Sequence, residues 1–433
     1  MPHPSYSAPV ASGPIDARLS LPGSKSLTNR ELVLAALADG PSLLRRPLRA
    51  RDTELMVEAL RALGAGIEDV EGDGDFGADW RVVPLPRESR GAATLDVGLA
   101  GTVMRFVPPV AALAGGATVF DGDAAARRRP MSTMTNAIRA LGVEVDGDAL
   151  PFTVHGARSV RGGELTIDAS SSSQFVSGLL LAAPCFAEGL VLRHEGERLP
   201  SLPHIEMTIA CLAARGVAVT SPDEGVWIVP PGRIGALDVE IEPDLSNAAP
   251  FLAAALVAGG RVVIAGWPGR TTQVGAHLPR LFEAFGGRSR LADGALSVDG
   301  GDGVLGGARL EPVDLDLGEA GELAPTLVAL AAFASGPSRF TGIGHLRGHE
   351  TDRLAALVAD LARIGVRAQE LADGIVVTPG AMHGGRWGAY EDHRMATSGA
   401  LIGLAVPGVE VDDIGSTAKT LPEFRELWER MLA

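Results

Sequence analysis

Of the 38 basic residues in this 433-residue chain only two, Lys25 and Lys419, are lysines. A compact, titratable ammonium and a planar guanidinium fork do different work, so a lysine kept where arginine fills nearly every other basic position is a candidate for chemistry. A compositional bias toward arginine is the competing explanation. Lys25 lies in Leu21-Pro-Gly-Ser-Lys-Ser-Leu-Thr-Asn-Arg30, just before an Ala/Leu-rich run; Lys25 and Ser26 fall at a helix start and Arg30 one turn further on. Free N–H groups and the positive end of the dipole attract anions there. No glycine directly precedes Lys25, so the stretch is not a Walker A loop; a capped helix with a surface lysine is the alternative.

Further polar groups stand at comparable places. Ser170-Ser-Ser-Ser-Gln174 supplies four hydroxyls and an amide immediately before an apolar run, which argues against a flexible linker. In Arg127-Arg-Arg-Pro-Met131 the first two arginines read as a solvated patch, whereas Arg129, before a proline at a helix start, is placed to fork onto a carboxylate or phosphate. His349-Glu-Thr-Asp-Arg353 sets Glu350 and Arg353 three apart on one helical face, a spacing that suits a surface ion pair equally well. Tyr390-Glu-Asp-His-Arg-Met395 and Ser416-Thr-Ala-Lys-Thr-Leu-Pro422 contribute Arg394 and Lys419.

The elements that must hold these residues form a repeat. Six Ala/Leu-rich helical patterns begin near Ser24, Leu99, Ser171, Leu245, Gly321 and Asp392, each followed by a strand-like segment. A second, more amphipathic helix then ends at Gly64, Gly142, Gly216, Gly286 and Gly365, with spacings of 78, 74, 70 and 79 residues; the sixth unit stops at the chain end. Each unit reads as helix, strand, helix and two strands. Two similar α/β domains of three units each are expected, with uniformly apolar helices inside and amphipathic helices covering sheets outside. Helix starts from both domains converging on one cleft would make an anion-attracting site.

That local basicity matters because the chain is acidic overall, with 38 basic and 53 acidic residues and a net charge of −15. The balance argues against a nucleic-acid or anionic-membrane binder. Hydrophobic residues at 46% and charged residues at 21% describe an ordinary globular chain. Cys185 and Cys211 both sit in Ala/Leu-rich stretches that read as buried helix, so free thiols in a reducing cytosol are expected. The first residues lack a basic start followed by an apolar core, and no stretch reaches 18 apolar residues, so a cytoplasmic protein without a membrane partner is expected.

The ordered motifs LPGSKSLTNR, GLAGTVMRF, RRRPM, SSSSQF, HETDR, EDHRM and STAKTLPEF resemble those of the 3-phosphoshikimate 1-carboxyvinyltransferase (5-enolpyruvylshikimate-3-phosphate synthase) family of enolpyruvyl transferases, over residues 21 to 425. The resemblance implies an inside-out α/β barrel fold of two domains, each of three βαβαββ units, with residues 1–20 and 243–433 forming one and 21–242 the other. The active site would lie in the cleft between them. The implied reaction moves the enolpyruvyl group of phosphoenolpyruvate to the 5-hydroxyl of shikimate 3-phosphate, releasing phosphate, in the shikimate pathway to chorismate and aromatic amino acids.

Carried over by position, Lys25, Glu322 and Glu350 are the catalytic set, with Glu322 the proton acceptor and Glu350 the donor. Lys25, Ser26, Arg30, Ser172, Ser173, Gln174, Ser201, Glu322 and His349 would bind shikimate 3-phosphate. Lys25, Gly101, Arg129, Gln174, Arg353, Arg394 and Lys419 would bind phosphoenolpyruvate. No metal or cofactor is implied, a monomer is expected, and glyphosate is the family's inhibitor. Glu322 stands where Asp is common, His349 where Lys is, Leu99 where Asn is and Phe106 where Pro is. The sister enzyme acting on UDP-N-acetylglucosamine, which typically carries Lys-Asn in the first motif, and a non-catalytic anion-binding relative are the alternatives.

Overall fold

The computed structural model describes residues 5–72, 74–86 and 93–433; the first four residues of the expected 1–20 segment lie outside the described residues. The chain divides into two compact units, Pro22–Glu242 and Met1–Leu21 with Pro243–Ala433.

Among the described residues, six helices build the continuous unit: α1 (Lys25–Ala36), α2 (Arg51–Ala62), α3 (Gly101–Leu113), α4 (Ser132–Ala140), α5 (Gln174–Ala182) and α6 (Leu202–Ala214). Six more belong to the discontinuous unit: α7 (Ala248–Ala258), α8 (Leu278–Ala284), α9 (Ala324–Ala331), α10 (Arg353–Arg363), α11 (His393–Gly403) and α12 (Phe424–Leu432). The odd-numbered helices are interior. Every residue of α7 is buried, as its sequence AAPFLAAALVA demands, because a helix that is apolar all round has no face to offer water. The even-numbered helices are amphipathic: α10 buries Leu354, Leu357 and Leu361 at helical spacing while Arg363 faces outward. The five glycines that end the repeat's second helices, Gly64, Gly142, Gly216, Gly286 and Gly365, all have φ between 82° and 111°. A left-handed residue just past the last turn lets the chain close the helix and re-enter a strand.

Among the described residues each unit carries three sheets. The complete repeat is seen twice. In one, Ala93–Asp96 pairs in parallel with Gly115–Asp121 across α3, then Phe152–Ala157 and Glu144–Asp146 add antiparallel, giving an order of first, second, fourth, third strand. Asp314–Asp316, Ser338–Thr341, Gly374–Thr378 and Arg367–Leu371 repeat that order across α9 and α10. The parallel pair needs a helical crossover and the antiparallel pair only a tight turn, which is why the pattern reads strand, helix, strand, helix, strand, strand.

Four repeats depart from the expected uniform unit. The leading strand beside Ser42–Arg45 is Asp238–Glu240, from the far end of the continuous unit. Likewise Ile15–Leu19 supplies the leading strand beside Gly260–Ala265, and Tyr6–Ser7 closes the sheet of Gly385–Trp387 and Val409–Val411. The sheet of Gly163–Ile167, Leu190–His194 and Val226–Val229 has three strands, its fourth reduced to a bridge at Thr220.

Cys211 is buried, but Cys185 is exposed, contrary to the buried-helix reading. Pro184 ends α5 and turns the chain into a short 3₁₀ segment, Ala183–Cys185, that carries the thiol outward. No helix among the described residues is long and apolar enough to cross a membrane.

Candidate active-site residues

In the continuous unit, three interior helix starts come together. Gly23 precedes α1 because a Cβ there would lie 2.3 Å from the Arg46 carbonyl oxygen. Ser24 caps the helix, and Lys25, its first residue, donates to Asp52 Oδ2 at 3.3 Å at the start of α2. One turn on, Asn29 Nδ2 donates to Thr102 Oγ1 of α3 at 2.7 Å. At the start of α3 a Cβ on Gly101 would lie 2.9 Å from Gln174 Oε1 and 3.1 Å from both terminal nitrogens of Arg129. Gly101 is therefore the residue that lets the Arg129 fork and the Gln174 amide close over a helix N-terminus. Arg129 Nη1 also donates to the Leu99 carbonyl at 3.2 Å. Four buried atoms of this group have no hydrogen-bond partner among the described residues: Asn29 Oδ1, Asp52 Oδ1, Gln174 Oε1 and Arg129 Nε.

The serines divide. Ser170 is taken up by Asp168, whose carboxyl the Ser170 hydroxyl, at 2.5 Å, and backbone N–H hold below the usual range. Ser172 Oγ accepts from Gln174 N at 3.2 Å, and Ser173 is buried at the start of α5. Ser201 adopts left-handed φ and ψ of 54° and 49° ahead of α6, a conformation costing a serine roughly 1–2 kcal/mol. Ser26 sits in the first turn of α1, half-buried.

Arg30 is only 1% exposed. Its nitrogens donate to Thr208 Oγ1, the Ser26 carbonyl and the His204 carbonyl, each at 2.8 Å, and its guanidinium lies 5.2 Å from the Phe106 ring centre. It ties the turn carrying Ser26 to α6, which Ser201 precedes. Arg128 is exposed and donates to its own turn, at the Ala124 carbonyl.

In the discontinuous unit six charged residues form one chain of contacts. Lys419 Nζ donates to Glu350 Oε1 at 2.9 Å, and Arg353 Nη2 donates to Glu350 Oε2 at 3.1 Å. Arg353 then forks onto Asp392, with Nε 2.7 Å from Oδ2 and Nη2 3.2 Å from Oδ1. Asp392 caps α11 by accepting from the Arg394 backbone N–H at 2.9 Å. The Arg394 guanidinium donates to Glu322 Oε2 at 3.2 Å, and Ser246 donates to Glu322 Oε1 at 2.5 Å. Burial works against the charge of Arg353, but Asp392 and Glu350 outweigh it and raise its pKa above an ordinary arginine's. Three cations and three carboxylates thus balance in a largely buried network, where a bound anion could exchange for carboxylate contacts.

Sequence position predicts Glu350 on the helix with Arg353; the structure instead begins α10 at Arg353, capped by Asp352, and forms the pair across the cap. His349 Nδ1 lies 3.3 Å from Arg353 Nη1 and 4.0 Å from Glu350 Oε2. Glu322 stands on a 3₁₀ turn, Gly321–Leu323, leading into α9, and Lys419 ends another, Ile414–Lys419.

The residues that motif reading misses are Asp392, Ser246, Asp52 and Asn29. Only Asp392 carries a local signal, an aspartate immediately before a helical run. The turn before it holds Tyr390 and Glu391 consecutively at φ 54° and 56°, which costs roughly 1–2 kcal/mol per residue. The metal-free expectation meets, among the described residues, one group of suitable donors, Glu144, Asp146 and His155 on a surface hairpin. His155 and Asp146 already pair at 2.8 Å there.

The family model described as EPSP synthase (3-phosphoshikimate 1-carboxyvinyltransferase) matches residues 10–428. A 3-phosphoshikimate 1-carboxyvinyltransferase of Kocuria rhizophila is 54% identical over 434 residues, covering 99% of this chain and 96% of that protein. Among solved structures, an EPSP synthase of Acinetobacter baumannii aligns with a TM-score of 0.77 at 23% identity, covering 99% of this chain and 97% of that one. The enolpyruvyl transferase NikO of Streptomyces tendae aligns at 0.74 and 18% identity, over 98% and 96%.

Proposed function

Since this chain belongs to the EPSP synthase (3-phosphoshikimate 1-carboxyvinyltransferase) family, we propose that the two residue groups described above serve the family's reaction on one pair of substrates. The protein is a transferase of aromatic amino-acid biosynthesis. It transfers the enolpyruvyl group of phosphoenolpyruvate to the 5-hydroxyl of shikimate 3-phosphate, releasing phosphate.

In this reading Arg353, Arg394 and Lys419 from the discontinuous unit, with Arg129, Gly101 and Gln174 from the continuous one, take the phosphate and carboxylate of phosphoenolpyruvate. Ser26, Ser172, Ser173, Gln174, Ser201 and His349 take shikimate 3-phosphate, and Arg30 adds its charge from behind Ser26 while fixing the approach to α6. Lys25 bridges the two substrates. Glu322 removes the proton of the 5-hydroxyl as its oxygen bonds to C2 of phosphoenolpyruvate, while Glu350 delivers a proton to the methylene carbon C3. The tetrahedral adduct then returns a proton from C3 and expels phosphate, restoring the double bond.

The observation that carries this reading is the gathering of Lys419, Arg353 and Arg394 around the carboxylates of Glu350 and Glu322, three cations that suit the phosphate and carboxylate of phosphoenolpyruvate. Phosphate release from phosphoenolpyruvate, followed with and without shikimate 3-phosphate, tests it. Release that depends on shikimate 3-phosphate supports the reading; release supported instead by UDP-N-acetylglucosamine, or no release with either, overturns it. The same reading makes glyphosate a competitor for the phosphoenolpyruvate residues and the enzyme a cytosolic monomer.

A further inference from the structure

Asp360 lies on α10 seven residues after Arg353, so the two share a helix face roughly 10 Å apart. It is fully buried. Three donors converge on its Oδ1: the Gly388 N–H at 3.2 Å, the Tyr390 hydroxyl at 3.1 Å and the Arg363 guanidinium. Its Oδ2 has no partner among the described residues. A buried carboxyl with one oxygen unmatched is a poor way to stabilise a core, and an apolar side chain would pack there at less cost.

What it holds is the turn before α11. Gly388 and Tyr390 bond to Asp360, and Asp392, four residues beyond Gly388, bonds to Arg353. Between these two attachments lie Tyr390 and Glu391, both left-handed. Space is tight as well, since a Cβ on Gly388 would meet the Tyr390 ring at 2.5 Å. Asp412 closes the other side by accepting from the Ala389 N–H at 2.7 Å. A strained turn persists only where its surroundings over-determine it, and Asp360 supplies the attachment on α10.

We propose that Asp360 is a positioning residue for phosphoenolpyruvate binding: it fixes the Gly388–Glu391 turn so that Asp392 can hold Arg353 and orient Arg394. The inference rests on the assignment of Arg353 and Arg394 to phosphoenolpyruvate. What matters is an oxygen acceptor at the Oδ1 position; the charge is dispensable.

Steady-state phosphate release tests it in the intact enzyme, varying each substrate with the other saturating. Asp360→Leu is expected to raise KM for phosphoenolpyruvate 10-fold or more with KM for shikimate 3-phosphate within twofold. Asp360→Asn, which keeps the acceptor, is expected to return the phosphoenolpyruvate KM to within threefold of wild type. A folded Asp360→Leu variant with unchanged KM, an equal rise for both substrates, or an Asn variant as impaired as Leu overturns the proposal. Should Asp360→Leu fail to fold, Tyr390→Phe decides: removing that one donor is expected to raise the phosphoenolpyruvate KM at least threefold, and no change refutes it. Arg353→Lys in the same assay separates the premise, because an unaltered phosphoenolpyruvate KM there would defeat the site assignment itself.

Discussion

Replacing Glu350 by Gln separates a proton donor from a structural counter-ion. The carboxylate has Lys419 at 2.9 Å on one oxygen and Arg353 at 3.1 Å on the other. The amide can accept from only one of them and turns an N–H₂ group toward the other. One charge-assisted hydrogen bond is lost, worth about 1.5–3 kcal/mol. At roughly 2–4 °C per kcal/mol for a unit of this size, Tm falls by about 3–12 °C. Phosphoenolpyruvate binding changes little, because Arg353 keeps its fork onto Asp392 at 2.7 and 3.2 Å. Loss of proton transfer costs about 10²- to 10⁴-fold in kcat, or roughly 2.7–5.5 kcal/mol of barrier. Phosphate-release kinetics at saturating shikimate 3-phosphate, with thermal melts of the same preparations, give both numbers. If Glu350→Gln raised KM for phosphoenolpyruvate and left kcat within a fewfold of wild type, Glu350 would be a counter-ion for its two cations and the proton-donor role would fail.

Three other outcomes follow from particular contacts. Arg215 donates twice to Glu31 Oε2, at 2.9 and 2.8 Å, and to the Gly235 carbonyl, so Arg215→Met should cost about 3–5 kcal/mol in denaturant melts. Adding Glu31→Leu should recover most of that, and a double variant as unstable as the single would count against a buried-pair origin. The Asp360 carboxyl is pushed up to about 7 by burial, with Asp412 adding and Gly388, Arg363 and Tyr390 opposing. Its folded pKa exceeds the unfolded value of about 3.9, so its contribution is fully present below pH ~4 and is lost as pH rises toward 7. Wild type should therefore lose stability relative to Asp360→Asn between pH 5 and 8, at most about 1.4 kcal/mol per pH unit; parallel melts across that range would refute the shift. Arg128→Ala should leave kcat/KM within twofold while Arg129→Ala raises the phosphoenolpyruvate KM at least 10-fold, and equal effects would show that the arginine run is misread.

Local patterns carry far more of this molecule than remote ones. The six interior helices are legible because runs such as AAPFLAAALVA have no polar face, and the glycines after their amphipathic partners mark every turn back into a sheet. Motif order makes Lys25, Arg129, Glu350 and Arg353 legible as a set. The borrowed strands are not, since pairing Tyr6 with Val411 leaves no periodic trace near either residue. Nor is the fork from Arg353 to Asp392, two residues 39 apart whose meeting depends on how α10 and α11 pack. Arg30 illustrates the limit: its type and place suit an anion, but only packing shows that its nitrogens also serve carbonyls of its own unit.

The strands lent by the first twenty residues also impose an order on biosynthesis. Ile15–Leu19 pairs with Gly260–Ala265, and Tyr6–Ser7 with Val409–Val411, so each emerges from the ribosome long before its partner exists. The continuous unit, ending at Glu242, is complete before either partner strand has been translated. At about 5–20 residues per second Ile15–Leu19 waits roughly 12–50 s for its partner strand and Tyr6–Ser7 roughly 20–80 s, both with unpaired edges. The nascent chain is thus most exposed to mispairing and to chaperone capture after its middle has folded and before its last sheet closes.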